Sequence, residues 1–414
     1  MPLTDRSSRL AALTRALTVA ALLLHGAAWA AEGGAWPQYR GVHRDGVAAA
    51  DGLARGWPAA GPTVVWRVPL GSAFSQAAIQ GDAVYTGTSD DKHEYVVRLD
   101  ATTGREVWRS AIGDLFEESF GNGPRATPTV DGNFVYILSS RGNVVALAAA
   151  DGARKWAVDS GQKFAAAQPR FGHAASPLVV GDLLIVGVGG NEDAAIVALD
   201  KASGKTRWSA LSGGFGASSP IDVEVGGTRQ IVFARGRTLT SVDLAGTPLW
   251  TYDLAETVIA MPLSLGDGRL FVSASGDTGC SMVRVTHTDA AWKVEELWTN
   301  RDMRNHFNSS VVHEGHLYGF DNATLKCLSA ETGAVKWAKR GLGKGSLLIA
   351  GNRLFVLSDK GLLVMADASP AGYSELGTFQ ALEDRSWTSP SLAAGRLYVR
   401  NLTEMTCLDL RAPA

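Results

Sequence analysis

The side chains able to bind or react gather in two stretches. Residues 109–125 and 157–174 carry Phe116, Phe120, Phe164 and Phe171 together with Arg125, Arg170 and His173. Rings beside guanidinium groups suit stacking and the capture of a carboxylate or another anion. Farther along, His306, Asn308, Lys344, Arg385 and Trp387 have the same character. Glu117, Glu118, Asp302 and Asp384 stand in the same stretches, so internal pairing of acids with these cations is the competing reading.

No other cluster promises a reaction. Asp90, Asp91, His93 and Glu94 could hold a cation but read better as a solvated turn, and His313 and His316 straddle the Glu314-Gly315 turn of a hairpin. Ser176, Ser219, Ser389 and Thr127 each precede a proline, and that recurrence marks scaffold rather than a nucleophile. There is no G-x-S-x-G elbow, no P-loop, and no G-x-G-x-x-G opening a helix. Cys280, Cys327 and Cys407 are isolated, which excludes a disulfide scaffold, a four-thiolate metal cluster and a haem attachment site. No catalytic residue and no metal ligand is therefore assigned.

The elements that must position these residues come from one repeat. LDATTGREVW (Leu99 to Trp108) returns as LAAADGARKW, LDKASGKTRW and LSAETGAVKW, ending at Trp156, Trp208 and Trp337, with a shorter copy ending at Trp250. In all five the Gly lies four residues before the Trp. Between these blocks stand eight hairpins of alternating apolar runs around a Gly-containing turn, from Gln76–Thr88 to Thr388–Arg400, a period-2 strand signal. Four antiparallel strands recurring at this spacing describe a propeller blade, and residues 67–410 divide into eight blades of 43 residues. The expected fold is all-β: an eight-bladed propeller over residues 63–414, closed where Thr63 to Val68 pairs with Met405 to Leu410. The seventh outer strand, near Tyr373 to Phe379, has lost both marks of the repeat, the Trp and the Gly four residues before it. Trp66, Trp108, Trp156, Trp208, Trp250, Trp298 and Trp337 are read as wedges between blades, each indole N–H reaching a carbonyl. On such a ring the loops leading into the innermost strands share one face around the central channel, which gathers the residues named above.

The A-L-D-x-x-T-G-x-x-x-W repeat resembles the tryptophan-docking repeat of the pyrroloquinoline-quinone (PQQ) propeller superfamily over essentially the whole chain beyond residue 62. In that superfamily, quinoprotein alcohol dehydrogenases use PQQ and calcium, whereas outer-membrane assembly factors of the BamB type keep the ring without a cofactor and bind proteins through loops. The opening WPQYRGVHRDGV (Trp36 to Val47) resembles the start of a third group, secreted bacterial PQQ-like propellers. The dehydrogenases roof the quinone with a disulfide between adjacent cysteines and carry long inter-blade insertions; this chain has neither. The resemblance therefore implies a non-catalytic binding or scaffold propeller, with no cofactor expected. A PQQ- and calcium-dependent dehydrogenase of alcohols or sugars is the alternative.

Composition sets the compartment and excludes other classes. Of 414 residues 46% are hydrophobic and 19% charged, with a formal charge of -2, so the chain can bury a large core and offers no basic footprint for nucleic acid. Arg6, Arg9 and Arg15 precede the apolar run Ala16 to Leu24 and then Ala28-Trp29-Ala30, a signal-peptide pattern over residues 1–30 with cleavage near Ala30. That run is too short to span a bilayer, no cysteine stands at the cleavage site to carry lipid, and no Arg-Arg pair marks the twin-arginine route. The expectation is a periplasmic or secreted, monomeric protein without a membrane span. Residues 31–62 form an extended segment wrapping the ring, and the channel face binds a protein partner or a small anionic ligand of the cell envelope.

Overall fold

The computed structural model describes residues 34–214, 217–288 and 291–412. The expected export leader, residues 1–30, lies outside the described residues. Among these, eight four-stranded antiparallel blades form a closed ring. Blade 1 runs outward through Ala78–Gln80, Ala83–Ser89, His93–Asp100 and Glu106–Asp114. Blades 2 to 7 repeat that plan over residues 129–159, 178–210, 221–253, 263–300, 311–339 and 346–380. In blade 8, Ser391–Ala393, Arg396–Arg400 and Glu404–Asp409 are completed by Thr63–Pro69, with Trp66 opposite Cys407, so both ends of the propeller share one sheet as the sequence predicts. Second and third strands are buried almost throughout because each blade is covered on both faces by its neighbours, while outer strands alternate buried and exposed.

The tryptophans and glycines of the repeat form one joint. Trp108 donates its indole N–H to Ala149 O of the next blade at 3.1 Å, Trp156 to Lys201 O at 3.1 Å, Trp208 to Leu244 O at 2.8 Å and Trp298 to Ala330 O at 3.0 Å. Trp66 and Trp337 make the same bond to Ala101 O and Ser369 O. Trp250 differs: its donor is satisfied inside its own blade, by Gln230 Oε1 at 2.6 Å. Each turn glycine has a positive φ, as the sequence requires, but also seats the preceding blade's indole. A Cβ on Gly104, Gly152 or Gly204 would stand 2.7 Å from Trp66, Trp108 or Trp156. The fixed Gly–Trp spacing thus records contacts between blades, since each turn carries one blade's glycine and leads to the tryptophan that seats on the next.

Two departures concern residues 34–62. The segment does not run around the outside of the ring: its first part fills the central channel, where Val47–Ala48 adds a parallel fifth strand to the inner edge of blade 7. Its second part crosses to blade 8, where Leu53 bridges to Arg411, and packs Trp57 onto blade 7. A Cβ on Gly377 would collide with the Trp57 indole, and one on Gly61 with the Phe379 ring. The tryptophan that blade 7 lacks in its own outer strand is therefore replaced by Trp57, from another part of the chain, packed beside Gly377 of that strand.

Candidate functional site

The channel is closed by a polar hairpin held almost wholly through main-chain groups. Trp36 and Ile79 of blade 1 exchange two backbone hydrogen bonds of 2.9 and 2.8 Å, and Pro37 O accepts from Val130 N of blade 2 at 2.7 Å. Arg40 donates to Ser309 O at 3.0 Å and Ser310 O at 2.5 Å of blade 6. Its backbone N–H donates to Gln76 Oε1, and the Gln76 amide donates onward to Pro390 O of blade 8. Arg44 donates to Pro177 O at 2.8 Å and Ser176 O at 3.0 Å of blade 3. Tyr39 packs on the apolar cluster shared by blades 4 and 5. Gly41 and Gly46 have positive φ, and no side chain fits at Gly46, where a Cβ would stand 2.8 Å from Val311 and 2.9 Å from the Arg40 guanidinium. Burial without a bonded carboxylate pushes the pKa of Arg40 down and that of Arg44 down to about 9. Val42, 50% exposed, and the exposed His43 form the tip. Because Gln76, Ser176 and Ser309 directly precede innermost strands, the tip lies toward the end of the channel where the lead-in loops gather.

The Ser/Thr-Pro pairs of the sequence brace that end. Gln76 N donates to Thr127 Oγ1, Thr127 N to Ser176 Oγ and Ser176 N to Ser219 Oγ, at 3.0, 2.9 and 2.9 Å. These hydroxyls are acceptors for the neighbouring blade's backbone and are all buried, which is a scaffold role. The Ser389 hydroxyl likewise donates to Asn308 Oδ1 at 2.9 Å, and Asn308 Nδ2 donates to Gly345 O at 3.1 Å.

Above this girdle, rings from five lead-in loops meet. Phe120 lies 6.1 Å from Phe171 and 5.9 Å from Trp387 between centroids; Trp387 lies 4.8 Å from Phe307 and 6.3 Å from Phe74. Guanidinium groups cover their faces. Arg385 sits 4.6 Å from the Trp387 centroid and Arg170 5.1 Å from Phe171, while Arg125 lies 4.9 Å from Phe116 and 5.3 Å from Phe74. Arg385 also donates to Phe120 O at 2.5 Å, and Arg125 to the carbonyls of Phe171, Gly121 and Gly123. Lys344 Nζ stands 3.4 Å from His306 Nδ1; burial and then this ammonium hold the His306 pKa below the usual imidazole range. Eight of the ten residues read from the sequence as a channel-face set thus form one cluster.

The other two lie deeper. His173 is 1% exposed, beneath Gly142, and Asn308 is buried in the inter-blade brace, so neither reaches the surface of the mouth. Phe74, Phe307 and Arg141, which sequence reading passed over, belong to the cluster; Arg141 lies 5.7 Å from Phe116. Of the acids at the hairpin tip, Asp90 accepts from Tyr95 Oη and from two backbone N–H groups, which lower its pKa to about 2. Glu94 instead is buried and accepts from Ser140 N; desolvation raises its pKa against the pull of that bond and of Arg125.

Burial lowers the His173 pKa to about 4. Between that value and the unfolded value of about 6.5, the unfolded chain binds a proton that the folded one does not, so stability is lost as pH falls through this window. The difference in unfolding free energy between the native protein and His173→Gln should shrink by about 3 kcal/mol from pH 7 to pH 4, measured by urea titration. A constant difference over that range would show that His173 titrates normally.

With this geometry in place, comparison with known proteins places the chain among PQQ-like propellers. A family model described as outer membrane protein assembly factor BamB matches residues 50–219 and 192–411. The chain is 27% identical to the outer membrane protein assembly factor BamB of Salmonella typhimurium over 80% of its own length and 85% of that protein's. It is also 30% identical to the serine/threonine-protein kinase AfsK of Streptomyces griseus, over 42% of this chain and 21% of the kinase, so the match spans only about a fifth of that relative. The crystal structure of BamB from Moraxella catarrhalis superposes with a TM-score of 0.62 at 16% identity, covering 84% of this chain and 99% of that one. Quinohemoprotein alcohol dehydrogenase from Comamonas testosteroni gives 0.66 at 11% identity, covering 92% and 81%. Both structural likenesses speak for the fold alone.

Proposed function

The chain belongs to the PQQ-like propeller family described as outer membrane protein assembly factor BamB, and on that premise we propose that it is an exported, non-catalytic binding propeller. It holds a protein partner or a small anionic ligand at the mouth of its channel. The observation that carries this reading is the convergence of Phe120, Phe171 and Trp387 with Arg125, Arg170, Arg385 and Lys344 on one rigid face. Long loops on a braced scaffold are where recognition concentrates. The leader pattern of residues 1–30 and the BamB relatives support export to the cell envelope.

The residues present do not fit a PQQ–calcium pair in the channel. Trp36 to Ala48 crosses the axis there, and the terminal guanidinium nitrogens of Arg40 and Arg44 donate to carbonyls of the ring. Among the described residues no group of three or more His, Cys, Asp or Glu is placed to hold a metal ion. The three cysteines are buried in separate blades, with pKa values raised to about 11 or 12 by desolvation, so no adjacent thiol pair can roof a quinone.

The test compares the native protein with Phe120→Ala and Arg385→Ala, using affinity capture from envelope extracts and thermal-shift screening of small carboxylates and phosphates. Every genuine ligand should bind at least about tenfold more weakly to the variants, as expected for an aromatic or arginine anchor. Unaltered binding of all of them would remove the mouth as the site. Dye-linked alcohol oxidation after adding PQQ and calcium would replace this reading with a dehydrogenase.

A further inference from the structure

Resting on the reading above, we infer that the mouth docks an extended acidic peptide segment carrying aromatic side chains, presented by a partner protein. Three observations carry the occupant's chemistry.

The first is the form of the apolar surface. Phe120 and Phe171 are each 47% exposed although they touch one another, and Trp387, Phe307 and Phe74 continue the surface from other loops. Neighbouring rings lie 4.8 to 6.3 Å apart. Same-side residues of an extended strand repeat every 6–7 Å or so, which lets alternate aromatic side chains of a peptide meet successive rings.

The second is the charge. None of the ion pairs among the described residues includes Arg125, Arg141, Arg170, Arg385 or Lys344. Arg170 and Arg385 lie over the Phe171 and Trp387 rings, contacts that hold their guanidinium groups in place and lower the cost of ordering them around a carboxylate. Arg170 makes no hydrogen bond among the described residues, so its donors are uncommitted. The chain as a whole carries a formal charge of -2, which gives no long-range attraction to a polyanionic surface. Recognition of negative charge is thus local, side chain by side chain, as a peptide supplies it.

The third is depth. The hairpin anchored by Arg40 and Arg44 stops the axis, so an occupant lies across the mouth and over the exposed Val42 and His43 instead of descending into the ring. An elongated ligand matches that surface better than a compact anion.

The experiment measures fluorescence anisotropy of labelled (Glu-Phe)4, (Lys-Phe)4 and (Glu-Ala)4 peptides with the intact protein at two salt concentrations. (Glu-Phe)4 should bind at least about tenfold more tightly than either control, because both the rings and the carboxylates are read. Phe171→Ala should weaken it about tenfold, and Arg170→Glu with Arg385→Glu should weaken it further and remove its salt dependence. Melting temperatures of the variants serve as the folding control, since Phe171, Arg170 and Arg385 are exposed. Equal binding of (Lys-Phe)4 or (Glu-Ala)4, indifference to these substitutions, or displacement by anionic phosphatidylglycerol vesicles as effective as by peptide would each overturn the inference. If the peptides fail while Phe120→Ala still abolishes capture of a native ligand, this inference falls and the mouth remains the binding site; if both fail, the broader reading falls as well.

Discussion

Arg40→Ala lowers the unfolding free energy by about 3–5 kcal/mol, the largest loss expected from any single truncation in the channel. Two opposing effects set that number. The native state carries a buried cation bonded only to carbonyls, and removing it relieves a desolvation penalty that the lowered Arg40 pKa registers. Against this, the carbonyls of Ser309 and Ser310 lose their charge-assisted donors inside the ring, at about 1–3 kcal/mol each, and a large fully buried side chain leaves a cavity. The second set wins because no apolar side chain of residues 41 to 46 can take the place of Arg40: they are Gly, Val, His, Arg, Asp and Gly with Val42 half exposed, and only Val47 packs on the cluster shared by blades 6 and 7. Arg40→Met separates the effects, restoring volume without donors, and should recover about half of the loss. Urea titrations of the three proteins measure this. A loss under about 1 kcal/mol for Arg40→Ala would mean that the hairpin lies in the channel without bracing it.

The contrast between that hairpin and the blades explains what the sequence discloses. Blades are legible because Trp156 and Gly204 each serve a neighbour at fixed register, so the same spacing must recur around the ring. The residues Trp36 to Val47 serve no periodic element. They bond Gln76, Ile79, Val130, Ser176, Pro177, Ser309 and Ser310 on several blades, through two arginines and backbone groups, and a polar string without alternation reads as an extended segment wrapping the ring. Its signals were Gly41 and Gly46 beside Arg40 and Arg44, small residues where a large side chain must pass the backbone. The mouth was legible in its long loops, where length itself marks Phe120, Phe171 and Arg170. Phe74 and Phe307 stand in short connections and become visible only when the ring brings the loops together. Asn308 turns inward because the girdle needs polar partners for buried backbone groups, and a sequence does not mark which loop residue supplies them; His173 is likewise buried, beneath Gly142.

Gly204→Ala costs about 3 kcal/mol, and Gly181→Ala, in the same blade, only about 1. Both glycines sit in tight turns with positive φ, +70° for Gly204 and +59° for Gly181, so a Cβ imposes similar backbone strain at each. Their surroundings differ. Nothing lies within 4 Å of a Cβ at Gly181, whereas at Gly204 it meets the Trp156 ring at 2.7 Å. The indole cannot simply withdraw, because its N–H is bound to Lys201 O at 3.1 Å and its face packs on Tyr136 at 6.0 Å between centroids. The extra loss of about 2 kcal/mol is therefore the cost of unseating one blade from the next, the usual size of an overpacking penalty. Thermal and urea unfolding of the two variants isolates it, with Gly204→Ala showing in addition a red-shifted tryptophan emission as Trp156 leaves its seat. Equal destabilisation of both variants would assign the recurring glycine to turn geometry alone. In that case the four-residue interval between Gly and Trp would describe a hairpin within each blade, and the ring would hold itself together, and present the loops at its mouth, without a glycine–indole joint.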